Sequence, residues 1–309
     1  MKALVTGAAG FIGSHLCARL VRDGHEVVGL DDLSDGDPEN LEKAPGVAFV
    51  QADLRDEEAV ARAADGCEVI FHQGAKRSVP RSIQEPGLTT DVNVRGTMNV
   101  LQAAHRVGAR VVAASSSSVY GDQESFPLRE DMLLRPKSPY AASKAAGEAY
   151  CKAWWISMGV PTVSLRYFNV YGPGQDPASE YAAVVPRFIV ACLTGARPLI
   201  HGDGEQARDF TYIDDVVEAN LLASRAPEPA FGNAFNVGGG GTPTSVNHLL
   251  ALVAELTATH PDPIREPARE GDVRVTEAGL SSAHESLGYT PTTSISEGLA
   301  RAVDSLRAR

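Results

Sequence analysis

The first 13 residues read MKALVTGAAGFIG, and this stretch decides the fold. A short apolar strand pattern at residues 3–5 leads into three glycines spaced three apart, after which a helical pattern begins. The first glycine permits a tight turn, the second lets the backbone approach a pyrophosphate, and the third allows close packing of helix on strand. Other glycine-rich turns share such spacing, but the strand before it and the helix after it favour a dinucleotide site. The predicted site residues here are Gly7, Gly10, Phe11, Ile12 and Gly13.

An acidic residue stands where the second strand pattern ends. Asp31 follows the apolar run at residues 26–30, about 20 residues beyond the glycine motif, where a carboxylate accepts hydrogen bonds from a dinucleotide ribose. Asp32 comes next, and the following arginine along the chain is Arg55. A 2′-phosphate would therefore meet negative charge and no evident cation, which favours NAD over NADP as the cofactor.

The third strand pattern ends in a second acidic residue, Asp53. Its carboxylate could hydrogen-bond the adenine of the cofactor, or it could cap the helix that begins near Asp56. The sequence leaves these two interpretations equal. We include Asp53 and its neighbour Leu54 in the predicted cofactor site.

The first half of the chain alternates short apolar runs with longer helical patterns. This alternation predicts an α/β fold, a Rossmann-type doubly wound parallel sheet with helices on both faces. Its ligands bind beyond the carboxyl ends of the strands. After residue 166, frequent glycine and proline indicate a smaller, irregular C-terminal substrate lobe. We therefore expect an NAD-binding domain at 1–166 and an interleaved lobe at 167–309, with residues 234–238 returning to the main sheet as a strand.

Composition narrows the class of protein. The chain is 43% hydrophobic and 22% charged, and no apolar run approaches the roughly 20 residues of a membrane helix. Its four cysteines lack the spacing of metal ligands or of a disulfide framework, which fits a reduced cytoplasm. A net charge of -11 argues against nucleic acids and anionic membranes as partners. We therefore expect a cytoplasmic protein without metal, nucleic-acid or membrane partners.

A tyrosine and a lysine lie one turn apart at a predicted helix start. Ser138 is the expected N-cap and Pro139 the first helical residue, so Tyr140 and Lys144 share one face. A free phenol titrates near ~10, and a neighbouring ammonium together with a nicotinamide cation would lower that pKa enough for the phenolate to act as a base. The pair alone could be coincidence. Serines at 115–118, directly after a strand pattern, strengthen it, unless they form only a solvated loop.

Several long motifs in order resemble the extended short-chain dehydrogenase/reductase family, and within it the nucleotide-sugar 4-epimerases. The resemblance covers nearly the whole chain. The motifs are TGAAGFIG at 6–13, SVPRSI at 78–83, DVNVRGTMNVL at 91–101, SSSSVYGD at 115–122, YAASK at 140–144, LRYFNVYGPGQDP at 165–177, HGDGEQARDFTYIDDV at 201–216, FNVGG at 235–239 and REGD at 269–272.

The resemblance implies a catalytic set. Tyr140 would be the base, Lys144 its electrostatic partner and a ligand of the nicotinamide ribose, and Ser116 the hydroxyl on the reacting oxygen.

It also implies a substrate set. Asn169 would lie over the sugar diphosphate, and Arg208 and Arg269 would clamp it, since guanidinium forks suit phosphate oxygens. Outside their motifs, these arginines would be interpreted as ordinary surface residues.

Reaction type follows from the two residues after the catalytic hydroxyl. Dehydratases and decarboxylases of the family carry acids there, and members that epimerise C3 or C5 carry a cysteine at the first position. Here the two residues are Ser117 and Ser118. The resemblance therefore implies a 4-epimerase that oxidises C4 transiently and keeps its NAD bound, with Ser117 among the substrate contacts.

The resemblance implies UDP as the nucleotide and leaves the sugar open. Thr276 falls where the family has a gatekeeper, and a threonine leaves room for an N-acetyl group. Residues 175–186 also resemble the branch that accepts UDP-N-acetylglucosamine, and UDP-glucose remains an expected substrate. Arg77 replaces a small or neutral residue and could bind the carboxylate of UDP-glucuronate, unless it pairs with a protein carboxylate or points outward. Against a uronate, such enzymes usually carry threonine in place of Asn169.

Two further classes share parts of this pattern. A nucleotide-sugar dehydrogenase or reductase would use the same tyrosine and lysine but release its cofactor each cycle. A non-catalytic NAD sensor would be expected to have lost one of them. Assembly follows by resemblance too: a homodimer through helices 92–107 and 140–158, which Ala145, Ala149 and Ala153 would let approach closely.

Overall fold

The computed structural model describes residues 1–42, 44–177, 183–268 and 273–308. Seven parallel strands form the central sheet in the order β11-β6-β5-β4-β1-β2-β3. Their bounds are β1 Lys2–Thr6, β2 Glu26–Asp31, β3 Ala48–Gln51, β4 Val69–His72, β5 Arg110–Ser116, β6 Thr162–Tyr167 and β11 Asn233–Val237. This arrangement confirms the predicted doubly wound α/β fold.

The strand order reverses beside β1, which lies between β2 and β4. Such a switch point leaves a crevice outside the carboxyl ends of the strands, where ligands of open α/β sheets bind. The returning strand β11 pairs with β6, so the chain crosses back to the main sheet after the lobe has begun.

Helices cover both faces of this sheet, and others form a smaller lobe in the second half of the chain. Their bounds are α1 Phe11–Arg22, α2 Glu39–Glu42, α3 Glu57–Ala63, α4 Val79–Gln84, α5 Pro86–Thr90, α6 Gly96–Val107, α7 Pro139–Met158, α8 Val184–Thr194, α9 Ile213–Ser224, α10 Val246–Thr257, α11 Ser281–Leu287 and α12 Ile295–Arg307. A π-helical turn, Asp91–Arg95, leads into α6, and short 3₁₀ turns lie at Ser117–Tyr120 and Glu228–Ala230.

The core is divided by the sheet because successive strand side chains point to opposite faces. Leu4 and Ile70 pack in one apolar cluster with residues of α3 and α6. Val5 and Phe71 pack in the other cluster, against α1 and α9. All four cysteines are free and buried. Burial on both faces explains why these strands are continuous apolar runs rather than alternating ones.

Three local signals fix the long helix α7. Ser138 caps its start by accepting a hydrogen bond from the Ala141 N–H, and Pro139 opens the first turn, as predicted. Gly159 ends it in the left-handed conformation, with φ of 69°. The helix then packs on β5 and β6.

The second half of the chain adds a smaller lobe around helices α8, α10 and α12, which share an apolar core. Short strands complete it: β7 Val170–Tyr171, β8 Leu199–His201, β9 Ala207–Arg208, β10 Thr211–Tyr212, β12 Thr244–Ser245, β13 Ile264–Glu266 and β14 Val275–Thr276. A division at residue 166 stays a prediction. Across the described ranges, no helix has the length and apolarity to span a bilayer. Cytoplasmic location and the absence of nucleic-acid partners stay predictions.

Candidate active site

A cleft opens at the carboxyl ends of β1, β2 and β4, where the strand order reverses. Most of the predicted cofactor residues line it: Gly7, Gly10, Phe11, Ile12, Gly13, Asp31 and Leu54. Further lining residues were not predicted from the sequence, namely Ser34, Asp35 and Gly36 after β2, and Gln73, Gly74, Ala75 and Lys76 after β4. A ligand-lining role for the second group had no signal in the sequence beyond its place after an apolar strand.

The glycines lie where backbone segments touch each other. Gly7 has φ of 68°, and a Cβ there would lie 2.7 Å from Gly74 Cα. A Cβ on Gly13 would lie 2.0 Å from the Gly7 carbonyl oxygen. Gly10 caps α1 without a side-chain hydrogen bond, so the first amides of the helix remain available to a ligand. This cradle fits the phosphates of a dinucleotide.

Asp31 is held by the backbone at the floor of the cleft. Its Oδ2 accepts from Ala9 N at 3.0 Å and its Oδ1 accepts from Leu33 N at 2.8 Å. Burial raises the pKa of this carboxyl, and the two backbone hydrogen bonds oppose that effect. The carboxylate thus has a fixed orientation beside the cleft, as ribose binding requires.

The sequence predicts no cation near the ribose position, but the structure places one there. Lys76 lines the cleft, and its Nζ lies 2.7 Å from Asp35 Oδ2 and 2.5 Å from Ser34 Oγ. The fold brings the loop after β4 onto the loop after β2, which sequence distance conceals. Because Asp35 already neutralises this ammonium, the balance of charge around Asp31 still favours NAD.

Asp53 is engaged by its own neighbour. Arg55 donates to both of its carboxylate oxygens, at 3.0 Å from Nε and 2.6 Å from Nη2. That hydrogen-bonded partner lowers the pKa of Asp53. The cap of α3 is Asp56, whose side chain accepts from Ala59 N, so the capping interpretation of Asp53 is wrong. Its role toward adenine stays a prediction.

Three predicted catalytic residues meet where β5 ends. Ser116 is the last residue of β5 and lies close enough to Tyr140, the second residue of α7, for its hydroxyl to lower the pKa of the phenol. Lys144 lies one turn further along α7, and its Nζ donates to the Ala114 carbonyl at 2.8 Å. The structure therefore assembles the serine, the phenol and the ammonium from two elements.

The pKa of Tyr140 differs from the sequence expectation. Burial raises it, while the hydrogen bond with Ser116 and the charge of Arg77 lower it. Lys144 is not among the groups that shift it, because that ammonium is directed at the Ala114 carbonyl. Burial also lowers the pKa of Lys144, to about 8. The chain alone therefore holds the phenol protonated. Arg77, which the sequence placed near the sugar, also acts on the phenol through its charge.

Three of the predicted substrate residues, Asn169, Arg208 and Thr276, lie close together on the side of the smaller lobe. Asn169 Nδ2 donates to Asp209 O at 2.9 Å and to Thr276 Oγ1 at 3.3 Å. Its φ of 27° is one that asparagine tolerates better than most residues. Arg208 on β9 is the register partner of Thr276 on β14. Arg269 lies outside the described residues.

Two remaining candidates lie between these groups. Ser117 begins the 3₁₀ turn that follows β5, next to Ser116. Arg77 is exposed and lines the cofactor cleft, and its charge reaches Tyr140, so it connects the cleft with the catalytic group. Among the residues that the structure describes, no cluster of histidine, cysteine and acidic side chains could hold a metal ion.

Residues 3–238 match the sequence profile of the NAD dependent epimerase/dehydratase family. A UDP-glucose 4-epimerase of Mycolicibacterium smegmatis is 43% identical over 314 residues, which cover 99% of each chain. A crystal structure of UDP-glucose 4-epimerase from Thermotoga maritima, with UDP-glucose, superposes with a TM-score of 0.95 at 37% identity, covering 100% of this chain and 99% of that one. A UDP-N-acetylglucosamine 4-epimerase from Methanobrevibacter ruminantium, in complex with UDP-N-acetylmuramic acid, gives 0.94 at 35% identity, covering 99% and 98%.

Replacing Gly13 by alanine tests the cradle. Because the new Cβ would lie 2.0 Å from a backbone oxygen, α1 must shift, at a cost of about 1–3 kcal/mol. We expect Gly13→Ala to lose NAD on purification and to bind added NAD at least about tenfold more weakly, since about 1.4 kcal/mol corresponds to that factor. Calorimetric titration with NAD measures this. Gly87→Ala is the matched control, because a Cβ there meets nothing within 4 Å. Wild-type affinity in Gly13→Ala would contradict the assignment.

Proposed function

The chain belongs to the NAD dependent epimerase/dehydratase family, and from that premise we propose that it inverts the C4 hydroxyl of a UDP-hexose with NAD bound throughout. The observation that carries this proposal is the meeting of Ser116, Tyr140 and Lys144 at the end of β5. That site adjoins a glycine cradle suited to a dinucleotide, and Arg77 connects the two.

The cofactor would be held by groups on the first two strands. The amides at the start of α1 would bind the diphosphate, Gly7 and Gly13 would leave room for it, and Asp31 would accept hydrogen bonds from the adenosine ribose. Bound NAD supplies the chemistry of hydride transfer, so that C4 of the sugar is oxidised to a ketone and then reduced on its opposite face.

The protein's own residues handle the proton. Tyr140 takes the proton of the C4 hydroxyl and returns it when the opposite epimer forms, as a general base and then a general acid. Ser116 hydrogen-bonds the same oxygen and keeps the phenol aimed at it. The positive charge of Arg77 favours the phenolate against the burial that raises the pKa of Tyr140. A cationic nicotinamide adds to that charge. Lys144 would hold the nicotinamide ribose.

Serine side chains after the catalytic hydroxyl favour epimerisation over elimination. Elimination of water and decarboxylation each need a second acid or base at the sugar. Ser117 and Ser118 occupy the positions beside Ser116, and Ser118 is already hydrogen-bonded to it at 2.9 Å. Neither hydroxyl is a competent acid or base near neutral pH, which leaves reversible oxidation at C4.

The lobe residues support a sugar diphosphate of UDP type. Asn169, Arg208 and Thr276 lie together, so the same small region can offer an amide, a guanidinium and a hydroxyl to a diphosphate and its sugar. Arg269 would be the second clamp. Thr276 is small, which leaves space for an N-acetyl group, so both UDP-glucose and UDP-N-acetylglucosamine are proposed substrates.

A uronate substrate is the second candidate, and Arg77 favours it. In the described ranges its guanidinium pairs with no protein carboxylate, although it lies close enough to Tyr140 to lower that pKa. A cation without a partner beside the reacting sugar could bind a carboxylate. Asn169 stands against this candidate, as noted for its family counterparts.

The first test uses the protein as purified, without added cofactor. It is incubated separately with UDP-glucose, UDP-N-acetylglucosamine and UDP-glucuronate, and the sugars are analysed by NMR. We expect conversion of UDP-glucose or UDP-N-acetylglucosamine to its C4 epimer, and relative rates that show the influence of Thr276 and Arg77. Three unchanged sugars, even after NAD is added, would contradict the proposal. Net NADH formation would assign the protein to the dehydrogenases instead.

We also propose a homodimer through α7. Ala149 and Ala153 are exposed on this helix, and Ile156 on the same face is 71% exposed. Small residues flanked by an exposed apolar side chain suit a helix-to-helix contact between copies.

Light scattering should give the mass of two chains for the wild type and the mass of one chain for Ile156→Glu. Leu133→Glu, an exposed position off this helix, is the control and should stay dimeric. A monomeric wild type would contradict the proposal.

Turnover should depend on pH through Lys144. Burial lowers its pKa to about 8, so the ammonium is complete below that pH and lost above it. Since the proposed mechanism uses this ammonium to hold the nicotinamide ribose, we expect kcat to fall as the pH rises through about 8. Initial rates at saturating UDP-sugar, between about pH 6 and 10, measure this limb. A kcat that stays constant to the top of that range would contradict the role of Lys144.

A further inference from the structure

Residues 114, 115 and 116 at the end of β5 each contact a residue of α7. The α7 residues are Tyr140, Lys144 and Glu148, which follow one another at intervals of one turn along one face. Two of the contacts are hydrogen bonds, from Lys144 Nζ to Ala114 O at 2.8 Å and from Ser115 Oγ to Glu148 Oε1 at 2.5 Å. In the third pair, the Ser116 hydroxyl lies close enough to Tyr140 to lower the pKa of the phenol. The first and third pairs contain catalytic groups. The pair that is in the middle along β5, Ser115 with Glu148, contains none, yet it joins the same two elements. On α7, Glu148 lies one turn beyond Lys144.

Glu148 is itself fixed by a nearly buried ion pair. Arg166 on β6 donates to Glu148 Oε1 from Nε at 2.9 Å and to Oε2 from Nη2 at 2.7 Å. The exposed fractions of the Arg166 and Glu148 side chains are 6% and 9%. A two-pronged arginine–carboxylate contact of this kind fixes direction as well as distance. Glu148 can therefore hold Ser115 at one position.

The anchor continues behind Arg166. Its Nη1 donates to Tyr120 OH at 2.8 Å, and that hydroxyl donates to Asn236 Oδ1 at 2.7 Å. The guanidinium also lies 4.8 Å from the centroid of the Tyr120 ring. The ion pair thus ties α7 to β5, β6 and β11, the part of the sheet that carries the catalytic strand end.

A buried ion pair of this kind contributes little net free energy to stability. The loss of hydration for two buried charges offsets much of their attraction, and apolar residues of similar volume often stabilise a protein as well. The hydrogen bond to Ser115 gives this pair a directional task that an apolar pair could not perform. Positional control is therefore the function that its chemistry supports.

We propose that Ser115 and Glu148 are positioning residues for the proton transfer. By fixing α7 on β5 in one register, they hold the Tyr140 hydroxyl at Ser116 and the Lys144 ammonium beside both. This inference rests on the proposed function, because its principal readout is epimerase turnover.

Glu148 also bears on the charge of Lys144. The titratable groups that act on that ammonium, or are acted on by it, are His72 on β4 and Cys151 and Glu148 on α7. Burial lowers the pKa of His72 to about 3, and burial raises that of the Cys151 thiol to about 12, so both are neutral at physiological pH. Glu148, the ion-pair partner of Arg166, raises the pKa of Lys144 against the effect of burial.

Ser115→Ala is the cleanest test, because it removes the middle bond and leaves the ion pair intact. We expect kcat for the UDP-sugar to fall by about 10- to 100-fold, the scale that small misplacements cost, with KM changed less than about twofold and NAD retained. Ser224→Ala is the matched control: this buried serine donates only within its own helix, to Leu221 O at 2.7 Å. Its kcat should stay within about twofold of wild type.

Glu148→Gln gives a readout that a purely structural role would not move. The amide keeps the shape of the side chain and removes the charge, so the alkaline limb of the kcat profile should shift to lower pH. If the uncompensated Arg166 prevents folding, Ser115→Ala decides alone. A Ser115→Ala kcat equal to that of Ser224→Ala would overturn the proposal, and so would an alkaline limb unchanged in a folded Glu148→Gln. A wild type that epimerises no UDP-sugar in the same assay would instead refute the proposed function.

Discussion

The carbonyl oxygen of Gly7 occupies the space that a side chain at residue 13 would need, and the rest of the structure depends on this contact. The close contact between Gly7 and Gly13 lets α1 begin directly above the end of β1. The first amides of the helix therefore face the crevice at the switch point of the sheet. On the other side, Gly7 lies against the backbone of Gly74 after β4. Three backbone segments thus meet without side chains, and the space left over is the cofactor cleft.

The same sheet carries the second half of the site. Its strands are buried on both faces, so their carboxyl ends are the points where polar groups can reach a ligand. Ser116 stands at one such end, Asp31 at another, and Lys76 and Arg77 follow a third. The chemistry is therefore shared among loops that are distant along the chain but adjacent at one edge of the sheet. Burial there has a cost, since it raises the pKa of Tyr140 and lowers that of Lys144. The positive charge of Arg77 and the negative charge of Glu148 oppose these two effects.

The sequence was sufficient wherever a local rule sets the structure. Strand and helix alternation predicted the sheet, the glycine spacing predicted the cradle, and Ser138 with Pro139 predicted the start of α7. It failed where a contact joins distant segments. The Lys76–Asp35 ion pair, the bond from Ser115 to Glu148 and the approach of Arg77 to Tyr140 arise from the packing of loops and elements, which no local pattern encodes. Of the two alternatives for Asp53, capping is wrong for a local reason: Asp56 lies closer to the helix and caps it, and Arg55 is hydrogen-bonded to the Asp53 carboxylate.

The central claim is that the hydrogen at C4 leaves the sugar and returns to the same molecule while the cofactor stays bound. A UDP-hexose that carries deuterium at C4 tests this directly. It is mixed with an equal amount of substrate that has ordinary hydrogen at C4 and a distinguishing isotope label elsewhere, and both are epimerised in ordinary water by the protein as purified. We expect the epimer to keep its deuterium at C4, with no transfer to solvent or to the second substrate. Loss of deuterium to water, or its appearance in the other sugar, would contradict an intramolecular return of hydride and with it the mechanism.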